Sequence, residues 1–413
     1  MRCNIELVVK RFKIVIARVR VRVQYAASVG RWAVMLNKDL IPLCLGASCA
    51  CLVTLIFQAI QRSYENELED VAHVSDTIID TIGNTPLVRI KSLSEFTGVD
   101  ILGKAEYLNP FGSSKDRIVK AIVPSSLPKH TKVFEGTSGS TGISLSLLCR
   151  ALGYEPHIVI PEDVSEEKRA LLALSGAVLH VVKPASIVDN DMYVNKARAM
   201  ALESNGFFVN QFESPRNWQA HFETTGPEIY RQCNARIDAF VCGVGTGGSL
   251  TGIAKYLQSR KSAARIILAD PQGSSLYNFV RHKVMHTNVQ NEGSRRRHQV
   301  DSLVEGIGLS RTTANFQAGA SLIDDAIQVA DEEAFRMLQY VRFHDGLLLG
   351  TSSGVNLVAA FRIALEMKSN GRSGRIVTLL CDGGERHASI MGSKVSNDCN
   401  IEQILEAKGK HVF

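Results

Sequence analysis

From about residue 75 onward, the chain alternates short apolar stretches with longer stretches of helical periodicity. Strands that alternate with helices of about ten or more residues favour an α/β fold with parallel sheets. Ligands of such sheets bind at the carboxyl ends of the strands. The predicted strands are residues 87–90, 101–106, 132–135, 156–160, 178–182, 239–244, 266–269 and 376–380. The predicted helices are residues 118–122, 143–152, 165–175, 193–204, 250–260, 331–343 and 353–368, and prolines 124 and 128 end the first of them.

Length and composition favour a globular chain with an N-terminal extension. The 413 residues suffice for two α/β domains plus an appendage, with 45% apolar and 21% charged residues. Much of the net charge of +6 lies in residues 1–39, which hold nine Lys and Arg against two acidic residues. The remainder is close to neutral, so no nucleic acid is expected as a partner. The nine cysteines show no zinc-ligand spacing, so no metal site is predicted and a reducing compartment fits best.

The N-terminal extension has the pattern of a membrane anchor. Residues 41–60 carry no charge, and about 20 helical residues span the roughly 30 Å of a bilayer core. We predict a transmembrane helix at 40–61, although a buried core helix has the same composition. The preceding segment, 1–39, is arginine-rich and poor in acids, as mitochondrial targeting segments are. The polar residues 62–75 are predicted to be a linker.

Lys115 is the first candidate for chemistry. It follows Gly112, Ser113 and Ser114 at the start of a predicted helix, and so is placed to point into a cleft. A lysine that forms a Schiff base needs an amine that can be deprotonated beside its cofactor. Any single lysine is more often a surface residue paired with a carboxylate, so the prediction depends on the loops elsewhere in the chain.

Three further loops have the composition of anion or ring contacts. Residues 245–249 (GTGGS) lie between a predicted strand and helix, where backbone N–H groups and the helix N-terminus attract a phosphate. Residues 137–142 (TSGSTG) are rich in hydroxyl groups and suit a carboxylate. Ser352 in residues 350–354 (GTSSG) offers a neutral partner for a pyridine nitrogen. Each loop alone could be a tight turn or a helix cap, but with Lys115 they indicate a pyridoxal phosphate (PLP) enzyme that acts on an amino acid.

These motifs resemble the cysteine synthase and cystathionine β-synthase family of PLP enzymes, over about residues 76–404. Residues 82–88 (IGNTPLV), 109–117 (NPFGSSKDR), 221–228 (HFETTGPE) and 304–308 (VEGIG) are also similar to family motifs. The resemblance implies two three-layer α/β subdomains with mostly parallel sheets, and PLP in the cleft between them. It makes 76–405 the catalytic domain, with a smaller mobile subdomain at about 110–215, and it implies a homodimer.

The resemblance also assigns roles to individual residues. Lys115 is the implied catalytic residue and the attachment point of PLP. The other implied cofactor-binding residues are Ser140, Gly245, Thr246, Gly247, Gly248, Ser249 and Ser352. The implied substrate-binding residues are Thr137, Ser138, Thr141, Gln211 and Gly306.

The chain departs from the family at two places. Ser140 stands where the family usually has an asparagine that touches the 3′-oxygen of PLP, and the segment between Lys115 and Thr137 is shortened. Ser140 and the N-terminal anchor resemble a membrane-anchored mitochondrial branch of cysteine synthase-like proteins in fungi. The predicted location is therefore the mitochondrial membrane, in particular the outer membrane, with a single N-terminal anchor.

The predicted reaction is β-replacement, in which O-acetylserine and sulfide give cysteine and acetate through an aminoacrylate intermediate. A cysteine or serine β-lyase (desulfhydrase) or a cystathionine β-synthase-type enzyme is the first alternative. A membrane-tethered protein that keeps the fold without turnover is the second.

Overall fold

A computed structural model describes residues 74–137, 139–186, 188–287, 302–392, 400–401 and 404 of the chain. The predicted targeting segment, the apolar run at 41–60 and all of the linker up to residue 73 lie outside these ranges, as does Ser138. Among the described residues, no helix combines the length and apolar character needed to cross a bilayer.

The larger sheet has six strands, which are the first two and the last four strands of the described residues. Their spatial order is β1-β2-β10-β7-β8-β9. Only β1 and β2 pair antiparallel, while the other neighbours are parallel. The α/β fold with mainly parallel sheets is therefore confirmed. The bounds are Leu87–Arg89 (β1), Asp100–Ala105 (β2), Ala239–Gly243 (β7), Arg265–Pro271 (β8), Asp325–Val329 (β9) and Arg375–Leu380 (β10).

The smaller sheet has four strands, all parallel, in the order β5-β4-β3-β6. Its strands are Lys132–Gly136 (β3), Glu155–Pro161 (β4), Val178–Val182 (β5) and Phe207–Phe208 (β6). All four fall within the predicted subdomain at about 110–215, whose mobility stays a prediction.

Helices connect the strands, and their ends follow local signals in the sequence. Helix α2 stops at Ile122 because Pro124 disfavours helical backbone at the residue before it. Helix α3 ends at Gly153, whose φ of +75° is the left-handed conformation that glycine adopts readily. The helices are Lys91–Thr97 (α1), Lys115–Ile122 (α2), Ser140–Leu152 (α3), Glu166–Leu174 (α4), Tyr193–Glu203 (α5), Arg216–Ala220 (α6), Gly226–Gln232 (α7), Gly248–Ser259 (α8), Leu276–His282 (α9), Ala314–Gln317 (α10), Asp331–Asp345 (α11), Thr351–Ser369 (α12) and Ala388–Gly392 (α13).

Apolar side chains cover both faces of each sheet. Along β7, Val241 belongs to the cluster on the side of α12, whereas Phe240 and Cys242 belong to the cluster on the opposite side. In the smaller sheet, Ile158 and Val159 divide in the same way. Because successive side chains of a strand point to opposite faces, strands buried on both faces read as the continuous apolar runs seen in the sequence.

Candidate active site

A cavity of about 170 Å³ lies where loops from both sheets meet. Most of the residues predicted for the site line this cavity together. The predicted residues that line it are Lys115, Thr137, Ser140, Thr141, Gln211, Gly245, Thr246, Gly306 and Ser352. Parallel strands bring their carboxyl ends to one edge of a sheet, which is why loops distant in sequence converge here.

Lys115 is held at the cavity by its neighbours in the chain. It is the first residue of α2 and half-buried, and its amine contacts Ser114 Oγ at 3.3 Å. The carboxylate of Asp116 accepts hydrogen bonds from the Phe111 N–H at 2.7 Å and from the Ser144 hydroxyl at 2.6 Å. Burial raises the pKa of Asp116 to about 6, against the effect of these hydrogen bonds. The loop before the helix is thereby tied to α3.

Arg117, the next residue, is the centre of a buried ionic network. Its guanidinium donates to Glu106 Oε2 at 2.7 Å and to Glu228 Oε1 at 2.7 Å. Lys104 contacts Glu228 Oε2 at 2.6 Å, so two cations face two carboxylates. Burial raises the pKa of Glu228, but hydrogen bonds and charge from Arg117 and Lys104 prevail and lower it to about 2. The network joins α2, β2 and α7 beneath Lys115.

Two of the predicted carboxylate-binding residues, Thr141 and Gln211, form a hydrogen-bonded row with Glu135. The Thr141 hydroxyl donates to Gln211 Oε1 at 2.7 Å, and Gln211 Nε2 donates to Glu135 Oε1 at 3.2 Å. Glu135 is fully buried at the end of β3, and this burial raises its pKa to about 8. Thr137 is the first residue after β3, and its Oγ1 accepts a hydrogen bond from the Gly139 N–H at 3.3 Å. Glu135 therefore orients the Gln211 amide through the hydrogen bond between them, a role that the sequence pattern did not indicate.

The glycine-rich loop between β7 and α8 is closely packed. A Cβ on Gly245 would lie 2.1 Å from the carbonyl oxygen of Gly306, and Gly247 has a φ of +90°. Thr246 Oγ1 accepts a hydrogen bond from Asn217 Nδ2 at 2.9 Å. Helix α8 begins at Gly248, so its positive end adjoins the cavity. A loop of this kind can bring backbone N–H groups close to an anion.

Gly247, Gly248 and Ser249 belong to this loop but do not line the cavity. The Ser249 hydroxyl instead pairs with His221 Nε2 at 3.0 Å, and His221 Nδ1 pairs with Thr225 Oγ1 at 2.9 Å. Burial lowers the pKa of His221 to about 3, so the imidazole is neutral. His221 and Thr225 are the first and last residues of a π-helical turn, whereas Ser249 is the second residue of α8. The three loop residues keep their predicted cofactor roles as predictions only.

Ser352 and Ser140 lie at the starts of two helices that face the cavity. Ser352 is buried in the first turn of α12, and the Ser140 hydroxyl donates to Asp382 Oδ2 at 2.9 Å. Asp382 and His387 also line the cavity, but neither was predicted. A signal was present for Asp382, because it lies two residues after the strand predicted at 376–380, where the carboxyl end of a parallel strand meets ligands. His387 ends the short turn that follows, at Gly384–His387.

Comparison with known proteins identifies the family. The family described as "Pyridoxal-phosphate dependent enzyme" matches residues 78–382. The chain belongs to this family. Its relatives include "Cysteine synthase 2" of Schizosaccharomyces pombe, 47% identical over 84% of this chain and 90% of the relative. "Cysteine synthase 2" of Emericella nidulans is 46% identical over 84% and 89%.

Two further likenesses are to a curated relative and to a solved structure. A Saccharomyces cerevisiae protein named "Putative mitochondrial cysteine synthase" is 46% identical over 81% of this chain and 89% of its own length. The crystal structure of O-ureido-L-serine synthase superposes with a TM-score of 0.67 at 25% identity, over 81% of this chain and all of that one.

The chain is therefore a PLP-dependent enzyme, and the residues present suit this cofactor. The described residues place no carboxylate in an ion pair with the Lys115 amine, which leaves it open to the cavity. The tight Gly245 loop offers N–H groups and a helix N-terminus to a phosphate. The buried Ser352 hydroxyl offers a neutral hydrogen-bonding group.

Proposed function

We propose that this enzyme makes cysteine and acetate from O-acetylserine and sulfide. The observation that carries the proposal is the convergence of Lys115, the Thr141–Gln211 row and the Gly245 loop on one cavity. An amine, a carboxylate site and a phosphate site are the three elements that a PLP enzyme acting on an amino acid requires. Relatives named cysteine synthase, 46–48% identical over most of the chain, support the choice of reaction.

Each of the cofactor-binding residues would contact a different part of PLP. Lys115 would attach the cofactor, and the loop of Gly245, Thr246, Gly247, Gly248 and Ser249 would bind its phosphate. Ser352 would pair with the pyridine nitrogen, and Ser140 would lie beside the ring. A hydroxyl does not keep that nitrogen protonated as a carboxylate would, which favours elimination and replacement at Cβ over transamination. PLP, when bound, supplies the electron sink for breaking bonds at Cα.

The remaining residues would orient the amino acid and move its proton. The Thr137, Ser138, Thr141 and Gln211 side chains would bind the substrate carboxylate, with Gly306 at the mouth of the cavity. The Lys115 amine, freed when the amino group of the substrate takes its place on the cofactor, would take the proton from Cα, and acetate would leave from Cβ. Sulfide would then add at Cβ, and Lys115 would return a proton to Cα. Holding the reacting atoms in this geometry is a large part of the catalytic effect.

We also propose that the enzyme is mitochondrial, anchored in the outer membrane by residues 40–61 and assembled as a homodimer. The basic segment at 1–39, the apolar run at 41–60 and the S. cerevisiae relative's name support the location. Alkaline carbonate extraction and protease protection of mitochondria containing the full chain test it. Release of the intact chain by carbonate would contradict the anchor.

The function is tested with the full chain purified in a mild detergent. Addition of O-acetylserine should change the visible absorbance of bound PLP, and sulfide should restore it while cysteine forms. Lys115→Ala should lower cysteine formation by at least about 10²–10⁴-fold, the contribution typical of a proton-transfer group. Lys120→Ala is the matched control, since Lys120 is an exposed lysine on the same helix that donates to the Ile79 carbonyl.

Other outcomes would change the assignment. A protein whose absorbance ignores O-acetylserine but responds to cysteine or serine would be a β-lyase or a cystathionine β-synthase-type enzyme. A protein that binds PLP but transforms no amino acid would support the non-catalytic alternative. Full activity in Lys115→Ala would rule out the role proposed for Lys115.

A further inference from the structure

A chain of five polar side chains crosses the cavity. Lys168 pairs with Glu305 Oε1, and Glu305 Oε2 lies 3.1 Å from His387 Nδ1. His387 Nε2 lies 3.3 Å from Asp382 Oδ2. The same oxygen accepts a hydrogen bond from the Ser140 hydroxyl at 2.9 Å. The contact between Glu305 and His387 is an ion pair without hydrogen-bond alignment. We call these five residues the clasp.

The two end residues of the clasp, Ser140 and Lys168, lie on the side of the four-stranded sheet. Its three middle residues lie on the side of the six-stranded sheet. Ser140 begins α3 and Lys168 lies in α4, and both helices pack with the four-stranded sheet. Asp382 and His387 follow β10 of the six-stranded sheet, and Glu305 binds the Thr351 hydroxyl there through its backbone N–H. The clasp therefore ties the two walls of the cavity together.

The charges of the clasp are balanced and largely removed from water. Asp382 and His387 are 8% and 5% exposed. Burial lowers the pKa of His387, but its contacts with Asp382 and Glu305 prevail and raise it to about 9, so the imidazole is a cation at neutral pH. Two cations, Lys168 and His387, thus face two carboxylates. Losing the central cation would leave two carboxylates, of which Asp382 is buried, with Lys168 as the remaining cation of the clasp, which is strongly unfavourable.

The backbone around the clasp is shaped to admit it. A Cβ on Gly350 would lie 2.1 Å from Asp382 Oδ1 and 2.8 Å from His387 Nε2, so only glycine leaves room there. The same segment makes two more contacts across the cavity wall. Arg386 donates to the Phe111 carbonyl, and the Ser389 N–H donates to Glu167 Oε2 at 3.3 Å.

We propose that the clasp holds the cavity closed around the reacting groups and fixes the Ser140 hydroxyl, with His387 as its central positioning residue. Because the Ser140 hydroxyl donates its hydrogen bond to Asp382, the oxygen lone pairs of Ser140 are left for the cavity. The clasp has to open when substrate enters and product leaves. This inference rests on the proposed function only in taking the cavity as the site of PLP and the amino acid.

The test measures how readily the cavity opens. Hydroxylamine reacts with bound PLP, and the rate of the absorbance change reports access of a small amine to the cavity. His387→Phe, Glu305→Gln and Lys168→Met in the full chain should each raise this rate about tenfold, equivalent to about 1.4 kcal/mol. Lys168→Met with His387→Phe should raise it little more than His387→Phe alone, since residues in one network are not additive.

His157→Phe is the matched control, because it removes a buried histidine of β4 that lies outside the clasp. A rise in His387→Phe no larger than in this control, or additive effects in the double variant, would overturn the proposal. Should His387→Phe fail to fold, Glu305→Gln and Lys168→Met carry the test with the same criterion.

A second measurement does not depend on the cofactor. Hydrogen exchange of Glu166–Leu174 and of residues 382–392 should accelerate together in His387→Phe relative to wild type. Unchanged exchange in both segments would contradict the clasp. If the wild-type protein reacts slowly with hydroxylamine but forms no cysteine, the proposed function is wrong and the clasp is not contradicted. The two failures are therefore distinguishable.

Discussion

At the scale of single residues, Glu135 shows how a buried acid can serve a site without touching its ligand. Its carboxylate accepts from Gln211 Nε2, which turns Gln211 Oε1 toward the Thr141 hydroxyl. The orientation of the amide therefore follows from Glu135. Burial raises the pKa of Glu135 to about 8, so it stays largely protonated at neutral pH. Glutamine has nearly the same shape as the protonated acid, which makes Glu135→Gln a direct probe.

Glu135→Gln should change how stability depends on pH. The folded pKa of about 8 lies above the usual value of 4.5, so folding favours the protonated form. The stabilisation is complete below about pH 4.5 and is lost as pH rises through about 8, at up to about 1.4 kcal/mol per unit. The difference in Tm between Glu135→Gln and the wild type should therefore shift in favour of the variant as pH rises from 5 to 8. Parallel Tm curves for the two proteins would contradict this assignment.

At the scale of elements, the buried ion pairs of Arg117 anchor the start of α2. Arg117 contacts Glu106 and Glu228, which lie in a short turn after β2 and in α7. The segment between Lys115 and Thr137, which follows the start of α2, is shortened relative to the family. The ionic network supplies an alternative anchor for the start of the helix.

Arg117→Met should lower the free energy of unfolding by about 3–5 kcal/mol, because it leaves two buried carboxylates with too little positive charge. Arg281→Met removes a guanidinium that is 43% exposed and pairs with Asp325. This matched variant should cost at most about 1 kcal/mol, as exposed ion pairs do. Urea unfolding of both variants measures the difference, and equal costs would show that the network does not anchor α2.

Elements with strong local signals could be predicted, whereas partners distant in sequence could not. The stop of α2 before Pro124 and the strand that leads to Thr137 were both correct. The helical stretch that includes α7 was missed, because Gly226 and Pro227 read as a turn although proline is favoured in the first turn of a helix. Strand β9 was missed because it is short and mixes polar and apolar residues at the sheet edge.

The same limit applies to the site. Lys115, Gly245 and Ser352 stand in compact motifs, and they were placed at the cavity as expected. Asp382 meets Ser140 across 242 positions of sequence. No local pattern encodes that contact, so it depends on how the two sheets come together.

At the scale of the whole molecule, the last strand lies in the middle of the larger sheet. Strand β10 pairs with β2 on one side and β7 on the other, and Val377 sits opposite Leu102 and Phe240. Strand β5 lies at the edge of the smaller sheet, where Val181 is half exposed. Equal substitutions at the two positions should therefore have unequal effects.

Val377→Pro should prevent recovery of soluble, cooperatively folding protein, because proline removes a ladder hydrogen bond from a central strand. Val181→Pro should yield folded protein of reduced stability, since edge strands tolerate proline better. Soluble yield and thermal unfolding measure both outcomes. Similar behaviour of the two variants would contradict the central role of β10.

The position of β10 also sets the order of events during synthesis. Strands β2 and β7 cannot be joined until residue 380 has left the ribosome, when over nine-tenths of the 413 residues have been made. Until then, the inner edges of both strands are open to pairing with other chains. The larger sheet must therefore form late and from distant segments, which slows folding and lengthens the need for chaperones.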